Sequence, residues 1–320
     1  MNGAGITLGH GRSDMDYDAI VVGAGPAGLT AATDLALAEY RVLLLDRDSF
    51  GGQAMNVEWI ESYPGRGERI EGPMLGSEMV TRAAGQGVQM ELGDVVGVGT
   101  VAGRRAVTCA GGEVYTSSVL VLAGGVRSRP LGIPGELALE GKGIIHCAFC
   151  DASLYEDRVV AVCGGGDAGT LEALFLARHA AKVLLIEAQA RLSAKPALQK
   201  RARAEPRLDI RCGRTVVAVS GRDSVTGIDV HDAASGRTES LEVDGVLVRA
   251  GFEPMTGYLE GTLPLDDRGY VEVDGESQTR VAGILAAGDI RRGSPRNVAA
   301  AVRDGRVAAA SARRTLEAAK

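Results

Sequence analysis

One pattern that occurs twice constrains this chain more than any other feature. In the first copy the apolar run Ala19-Ile20-Val21-Val22 leads into Gly23-Ala24-Gly25-Pro26-Ala27-Gly28. An Ala/Leu-rich helical stretch follows, and a second apolar run, Val42-Leu43-Leu44-Leu45, ends on Asp46. In the second copy Val159-Val160-Ala161-Val162 leads into Gly164-Gly165-Gly166-Asp167-Ala168-Gly169. A helix pattern through Leu171–Ala177 comes next, and Val183-Leu184-Leu185-Ile186 ends on Glu187. Both copies place 23 positions between the first glycine and the acid. A strand, a crossover helix and a returning strand make a parallel pair. The repetition implies two lobes of one design.

The chemistry of each copy follows from its residue types. The first glycine permits a tight turn, the second lets backbone approach a pyrophosphate, and the third lets helix and strand pack closely. The helix N-terminus presents unpaired N–H groups and the positive end of its dipole to phosphate. The acid after the second strand suits ribose hydroxyls. The first cradle therefore names Gly23, Gly25, Pro26, Ala27, Gly28 and Asp46 as cofactor-binding. The second names Gly164, Gly166, Asp167, Ala168, Gly169 and Glu187. Two dinucleotides are expected, a flavin and a nicotinamide being the pair that exchanges hydride. A buried strand ending at Gly124 and a later strand running into Gly288-Asp289 belong with the flavin site, where Asp289 would accept from a ribityl hydroxyl.

The expected fold class is α/β, with two Rossmann-like (βαβ, three-layer ββα) nucleotide-binding domains, the second inserted into the first. Boundaries are expected at 16–124 plus 249–320 for the FAD-binding domain and 126–247 for the pyridine-nucleotide-binding domain. Residues 1–15 read as a flexible extension. The alternation within 207–247 suggests antiparallel strands with turns at Gly221 and Gly236. Glycine supplies 45 of 320 residues, about twice the usual share, as tight turns and close backbone approach require. The formal net charge of −6 and the lack of a basic stripe argue against nucleic-acid binding. No apolar run reaches the roughly 18 residues of a membrane helix, and the first residues lack the pattern of a secretory signal. Five cysteines make no disulfide framework. A cytoplasmic protein is expected, in which a persistent disulfide is a working one.

Cys147-Ala148-Phe149-Cys150 is the chemical centre. Two cysteines three positions apart come within disulfide reach when the pair opens a helical turn, and a helix start favours the thiolate. Asp151 follows directly and can deliver or accept the proton of thiol–disulfide exchange. A zinc site would need a second Cys/His pair nearby, which the sequence lacks. Cys109, Cys163 and Cys212 lie in strand-like segments and read as structural.

The order of these elements, together with Gly51-Gly52-Gln53, Tyr63-Pro64-Gly65 and Arg296-Asn297, resembles the low-molecular-weight thioredoxin reductase family, FAD-dependent pyridine nucleotide-disulfide oxidoreductases. The resemblance covers nearly all of the chain beyond residue 15. It implies a homodimer with one FAD per subunit and adds Gly52, Gln53, Arg296, Asn297 and Val298 to the cofactor-binding residues. It also implies that hydride passes from NAD(P)H to FAD, then to a Cys147–Cys150 disulfide, then to a thioredoxin-like protein or small disulfide substrate. In that scheme Cys150 is nearer the flavin, Cys147 attacks the partner and Asp151 is the general acid/base. The nicotinamide and the disulfide would alternate at one flavin face through hinges near 124–126 and 247–249.

Two departures stand out. The family places a His-Arg-Arg element and a further Arg after the second cradle's strand to hold the 2′-phosphate of NADPH. Here the stretch is Glu187-Ala188-Gln189-Ala190-Arg191-Leu192-Ser193. A carboxylate there repels a 2′-phosphate and suits a 2′-hydroxyl, so NADH is expected over NADPH. Asn297 stands where the family commonly has Gln. Loss of the arginines motivates one alternative, the same fold with another donor or direction (a ferredoxin-linked reductase or an FAD-dependent dithiol oxidase); a non-enzymatic flavin redox sensor is a further one.

Overall fold

Five parallel strands form the spine of each of two units. The computed structural model describes residues 15–61, 63, 65–66 and 68–318. The expected N-terminal extension, Met15 apart, and Pro64 lie outside the described residues. The chain divides into one unit of Met1–Met55, Trp59–Val126 and Pro254–Lys320 and a second of Asn56–Glu58 and Arg127–Glu253.

In the first unit the parallel order is Gln89–Leu92, Val42–Asp46, Asp16–Val22, Val114–Leu122, Ile284–Ala286. The first half of Val114–Leu122 also pairs antiparallel with Arg104–Cys109, which pairs with Val95–Val101. In the second unit the order is Leu208–Cys212, Lys182–Glu187, Val159–Cys163, Gly245–Val248, Ile144–Ile145, every pair parallel. A separate antiparallel sheet joins Arg214–Gly221, Val225–Asp232 and Thr238–Glu242. One core packs helix residues such as Ala173 and Leu176 on one face of the parallel sheet, and another packs Val216, Ile228 and Val230 on the other. The α/β class and the parallel cradles thus stand.

The expectation for 207–247 needs correction at its ends. Leu208–Cys212 and Gly245–Val248 run parallel in the five-stranded sheet, and only the strands between them are antiparallel. Leu208–Cys212 is an edge strand, and half-burial at an edge gives the alternation usual in antiparallel strands.

Register explains why the two acids land where they do. Val22 pairs with Leu45 and Cys163 with Ile186, so the next residues on each side are a cradle glycine and the acid. The helices Pro26–Leu37 and Asp167–Leu176 begin on Gly25 and Gly166, whose backbone angles are the same, φ −76° and ψ −177°. The first of them packs against Val298–Ala318. Their crossing is close enough that a Cβ on Gly305 would lie 2.3 Å from the Ala27 carbonyl oxygen.

Gly305→Ala sets two effects against each other. Helix propensity favours alanine by about 1 kcal/mol, and overpacking costs about 1–3 kcal/mol. The obstacle is backbone rather than a movable side chain, so the variant should lose about 1–2 kcal/mol in urea unfolding. A gain in stability would refute the close crossing.

Candidate functional site

Each cradle is closed by its own acid. In the first, the Ala24 N–H donates to Asp46 Oδ2 at 2.7 Å, while Asp46 Oδ1 accepts from the Asp48 and Ser49 N–H groups at 3.1 and 3.3 Å. In the second, the Gly165 N–H donates to Glu187 Oε2 at 2.7 Å, and Oε1 accepts from the Gln189 N–H at 2.8 Å. Gly23 and Gly164 have φ of +102° and +123°, which only glycine adopts at little cost. A Cβ on Gly28 would sit 1.8 Å from Gly23 O, and one on Gly169 1.9 Å from Gly164 O. The turns are therefore the same object built twice.

Their helix starts differ in charge. Neither has a side-chain cap, so the first-turn N–H groups of each face outward. The first helix has no acid in its first turn, and the second has Asp167. The Asp167 carboxylate is taken up by Lys195, whose backbone N–H donates to it at 2.7 Å and whose ammonium lies 3.5 Å away.

The first unit gathers more polar groups at its cradle. Gly52 comes so near Gly25 that a Cβ on it would lie 2.6 Å from the Gly25 Cα. Gln53 is exposed on the short turn Gly52–Asn56. Gly288 packs on Ala27. Burial pushes the Asp289 carboxyl up, and the Ser294 hydroxyl, donating at 2.6 Å, opposes that push. Arg296 has φ +52°. Asn297 caps the helix that Val298 opens, its Oδ1 accepting from the Ala300 N–H at 2.9 Å. The Tyr258 hydroxyl is buried with no hydrogen-bond partner among the described residues, and it lies 3.4 Å from where a Gly124 Cβ would be. A buried hydroxyl without a partner is costly. An uncapped helix start, a ribose-type acid, a buried acceptor and an orphaned hydroxyl fit a flavin dinucleotide. Tyr258 belongs to no motif, and no signal in the sequence marks it.

The thiol pair lies in the second unit. Cys147 and Cys150 are joined as a disulfide. Cys147 precedes the short helix Ala148–Asp151, and its Sγ accepts from the Cys150 N–H at 3.0 Å. Cys147 is 8 % exposed, whereas Cys150 is exposed and Asp151 half-buried. Phe149, between the two sulfurs in sequence, packs on Phe175 with ring centroids 5.5 Å apart. Cys109, Cys163 and Cys212 are free. Burial pushes all three thiols up, Cys163 to about 12, which keeps them protonated and unreactive at neutral pH.

Comparison with known proteins places this geometry. Residues 17–305 match the pyridine nucleotide-disulphide oxidoreductase family. The chain is 34% identical over 303 residues to a thioredoxin reductase of Bacillus subtilis, covering 94% of this chain and 95% of that one. It is 36% identical over 301 residues to a bifunctional thioredoxin reductase/thioredoxin of Mycobacterium leprae, covering 94% of this chain and 66% of that protein. Among solved structures, the Lactococcus lactis thioredoxin reductase superimposes with a TM-score of 0.89 at 30% identity, covering 94% of this chain and 99% of that one. Among the described residues no helix is long and apolar enough to cross a membrane.

Glu187→Ala should cost about 1–3 kcal/mol in urea unfolding, because the Gly165 N–H loses its acceptor inside the protein. Glu187→Gln keeps a carbonyl acceptor and should recover most of that loss. Equal losses in the two variants would count against the acid-to-turn bond.

Proposed function

We propose that this chain, which belongs to the pyridine nucleotide-disulphide oxidoreductase family, reduces a disulfide of a thioredoxin-like protein at the expense of a reduced nicotinamide nucleotide. It is an FAD-dependent disulfide oxidoreductase; the electron path and the identity of the donor are our reading. FAD, when bound, supplies the two-electron relay between nicotinamide and disulfide. The observation that carries the reading is the Cys147–Cys150 disulfide with Asp151 beside it, in a chain with two cradles of the same build.

The first cradle would hold FAD through the N–H groups of Ala27 and Gly28, with Asp46, Asp289 and the Tyr258 hydroxyl as polar partners. The second would hold the nicotinamide nucleotide through Ala168 and Gly169, with Glu187 toward the ribose. The proposed nucleophile toward the partner is Cys147. Its sulfur already accepts the Cys150 N–H, a bond that would stabilise a thiolate. Its burial means that the loop must open for attack. Asp151 would exchange the proton. The M. leprae relative, named for reductase and thioredoxin together, favours a thioredoxin-like partner over a small disulfide. The same reading makes the enzyme a cytoplasmic homodimer.

The proposed donor is NADH. Glu187 keeps a carboxylate at the ribose end of the cradle, and Ala188 and Gln189 are exposed with no cation of their own. Repulsion of a 2′-phosphate by one charge is worth about 1 kcal/mol at 4 Å in water and about 4 kcal/mol at an effective dielectric of 20.

Anaerobic titration, followed by the flavin's visible absorbance, tests this directly. NADH should bleach the flavin with a kcat/KM at least about tenfold above that of NADPH, a factor equivalent to about 1.4 kcal/mol. Ala188→Arg/Gln189→Arg, which leaves Glu187 on the turn, should narrow that ratio. A faster reaction with NADPH would overturn the donor assignment and point to Arg191 and Arg203, which line a cavity of about 420 Å³ with Cys212. Failure of both nucleotides to reduce a bound flavin would favour a ferredoxin or a substrate dithiol as donor.

The cysteine roles are separable. Cys150→Ser should trap a mixed disulfide, seen on a non-reducing gel, with a thioredoxin that keeps only its attacking cysteine and is pre-charged there as a mixed disulfide with an aromatic thiol, which Cys147 displaces as the leaving group; Cys147→Ser should not. The opposite pattern would exchange the two roles.

A further inference from the structure

An ion pair outside every sequence motif grips the redox loop on both sides of its first cysteine. Arg249 follows the strand Gly245–Val248, and its side chain is 8 % exposed. Its guanidinium forks onto Glu172 of the helix Asp167–Leu176, Nε to Oε1 at 2.7 Å and Nη2 to Oε2 at 2.8 Å. Nη2 also donates to the carbonyl oxygen of His146, the residue before Cys147, at 2.7 Å. The N–H of Ala148, the residue after Cys147, acts on the Glu172 carboxyl and opposes the upward push of its burial. Nη1 donates to Val248 O at 2.8 Å and to Ser128 Oγ at 3.2 Å.

The first unit shows what this position needs for folding alone. There Ala123 takes the place of Arg249. A Cβ on Gly23 would lie 2.3 Å from Ala123 O, and one on Gly164 would lie 2.2 Å from Arg249 O. The Ala123 N–H donates to Val22 O and the Arg249 N–H to Cys163 O, both at 2.7 Å. The cradle therefore uses only backbone here, and alanine suffices. The arginine side chain is additional, and its bonds run to Glu172 and to the cysteine loop. A buried ion pair is a poor source of net stability, but it can hold a carbonyl and an N–H that two apolar side chains would leave free.

We propose that Arg249 and Glu172 are positioning residues that hold the loop in its disulfide-closing geometry and so set the reduction potential of the Cys147–Cys150 couple. The inference rests on the reading of that pair as the working disulfide. Closing the disulfide joins the two sulfurs and releases two electrons and two protons. Its equilibrium depends on how concentrated one thiol is at the other, and a pinned loop raises that effective concentration. Removing the grip shifts the equilibrium toward the dithiol.

The test equilibrates the FAD-loaded protein anaerobically in buffers of reduced and oxidised dithiothreitol. Two electrons and two protons pass from the reagent to the protein disulfide as the reagent closes its own ring. After acid quenching and alkylation, mass spectrometry of the 147–150 peptide gives the dithiol fraction. Arg249→Ala should move the equilibrium constant five- to tenfold toward the dithiol, which is about 20–30 mV for a two-electron couple. Arg249→Lys, which keeps the charge but loses the fork, should move it less than half as far on the same scale. A folded Arg249→Ala within twofold of the parent would make the pair merely structural and overturn the proposal, whatever its Tm. Where Arg249→Ala does not fold, Arg249→Met/Glu172→Leu removes both charges and is judged by the same twofold limit. A parent disulfide that does not exchange with the reagent would overturn the functional reading itself. A parent that exchanges, with variants that match it, overturns the positioning role alone.

Discussion

A carboxylate that accepts the middle N–H of a glycine turn recurs at the head of both sheets, and much else depends on that bond. It ties the end of one strand to the start of a helix, Asp46 to Ala24 and Glu187 to Gly165, each at 2.7 Å. With the turn fixed, the third glycine can press against the first glycine's carbonyl, and the helix start is left open in front of the strands. That open end, with N–H groups unpaired by any side chain, is a place for phosphate. The glycine-rich composition, the uncapped helices and the acids at the strand ends are consequences of one local arrangement made twice.

The cradles were legible because their chemistry is local. Turn, helix and acid fall within 24 consecutive residues, and register follows once the strands pair in parallel. The CxxC pair was legible for the same reason. Leu208–Cys212 was not, since an edge strand of a parallel sheet alternates like an antiparallel one. Asn297 also caps a helix through its Oδ1, a role that its place beside Arg296 in the sequence did not reveal. Tyr258 near Gly124 and Arg249 on Glu172 depend on contacts between residues 134 and 77 positions apart in sequence. No short pattern carries such information.

The two units also show how a duplicated design diverges. At the position that closes each cradle from below, one copy keeps Ala123 and the other has Arg249. At the end of the second strand Asp46 and Glu187 are both acidic, but the second helix starts with Asp167 engaged by Lys195. The shared backbone geometry tolerates these changes because its hydrogen bonds run through peptide groups. Side chains at the same sites are free to differ.

The strand Val114–Leu122 has a consequence for how the protein is made. Its second half needs Ile284–Ala286 as a neighbour, a segment that follows the whole of the second unit's strands in sequence. The first sheet therefore stays one strand short until residue 286 has left the ribosome. The second unit, apart from Asn56–Glu58, ends at Glu253. Its strands are all available earlier, so the thiol-bearing part can be complete while the part that precedes it in sequence still waits for its last strand.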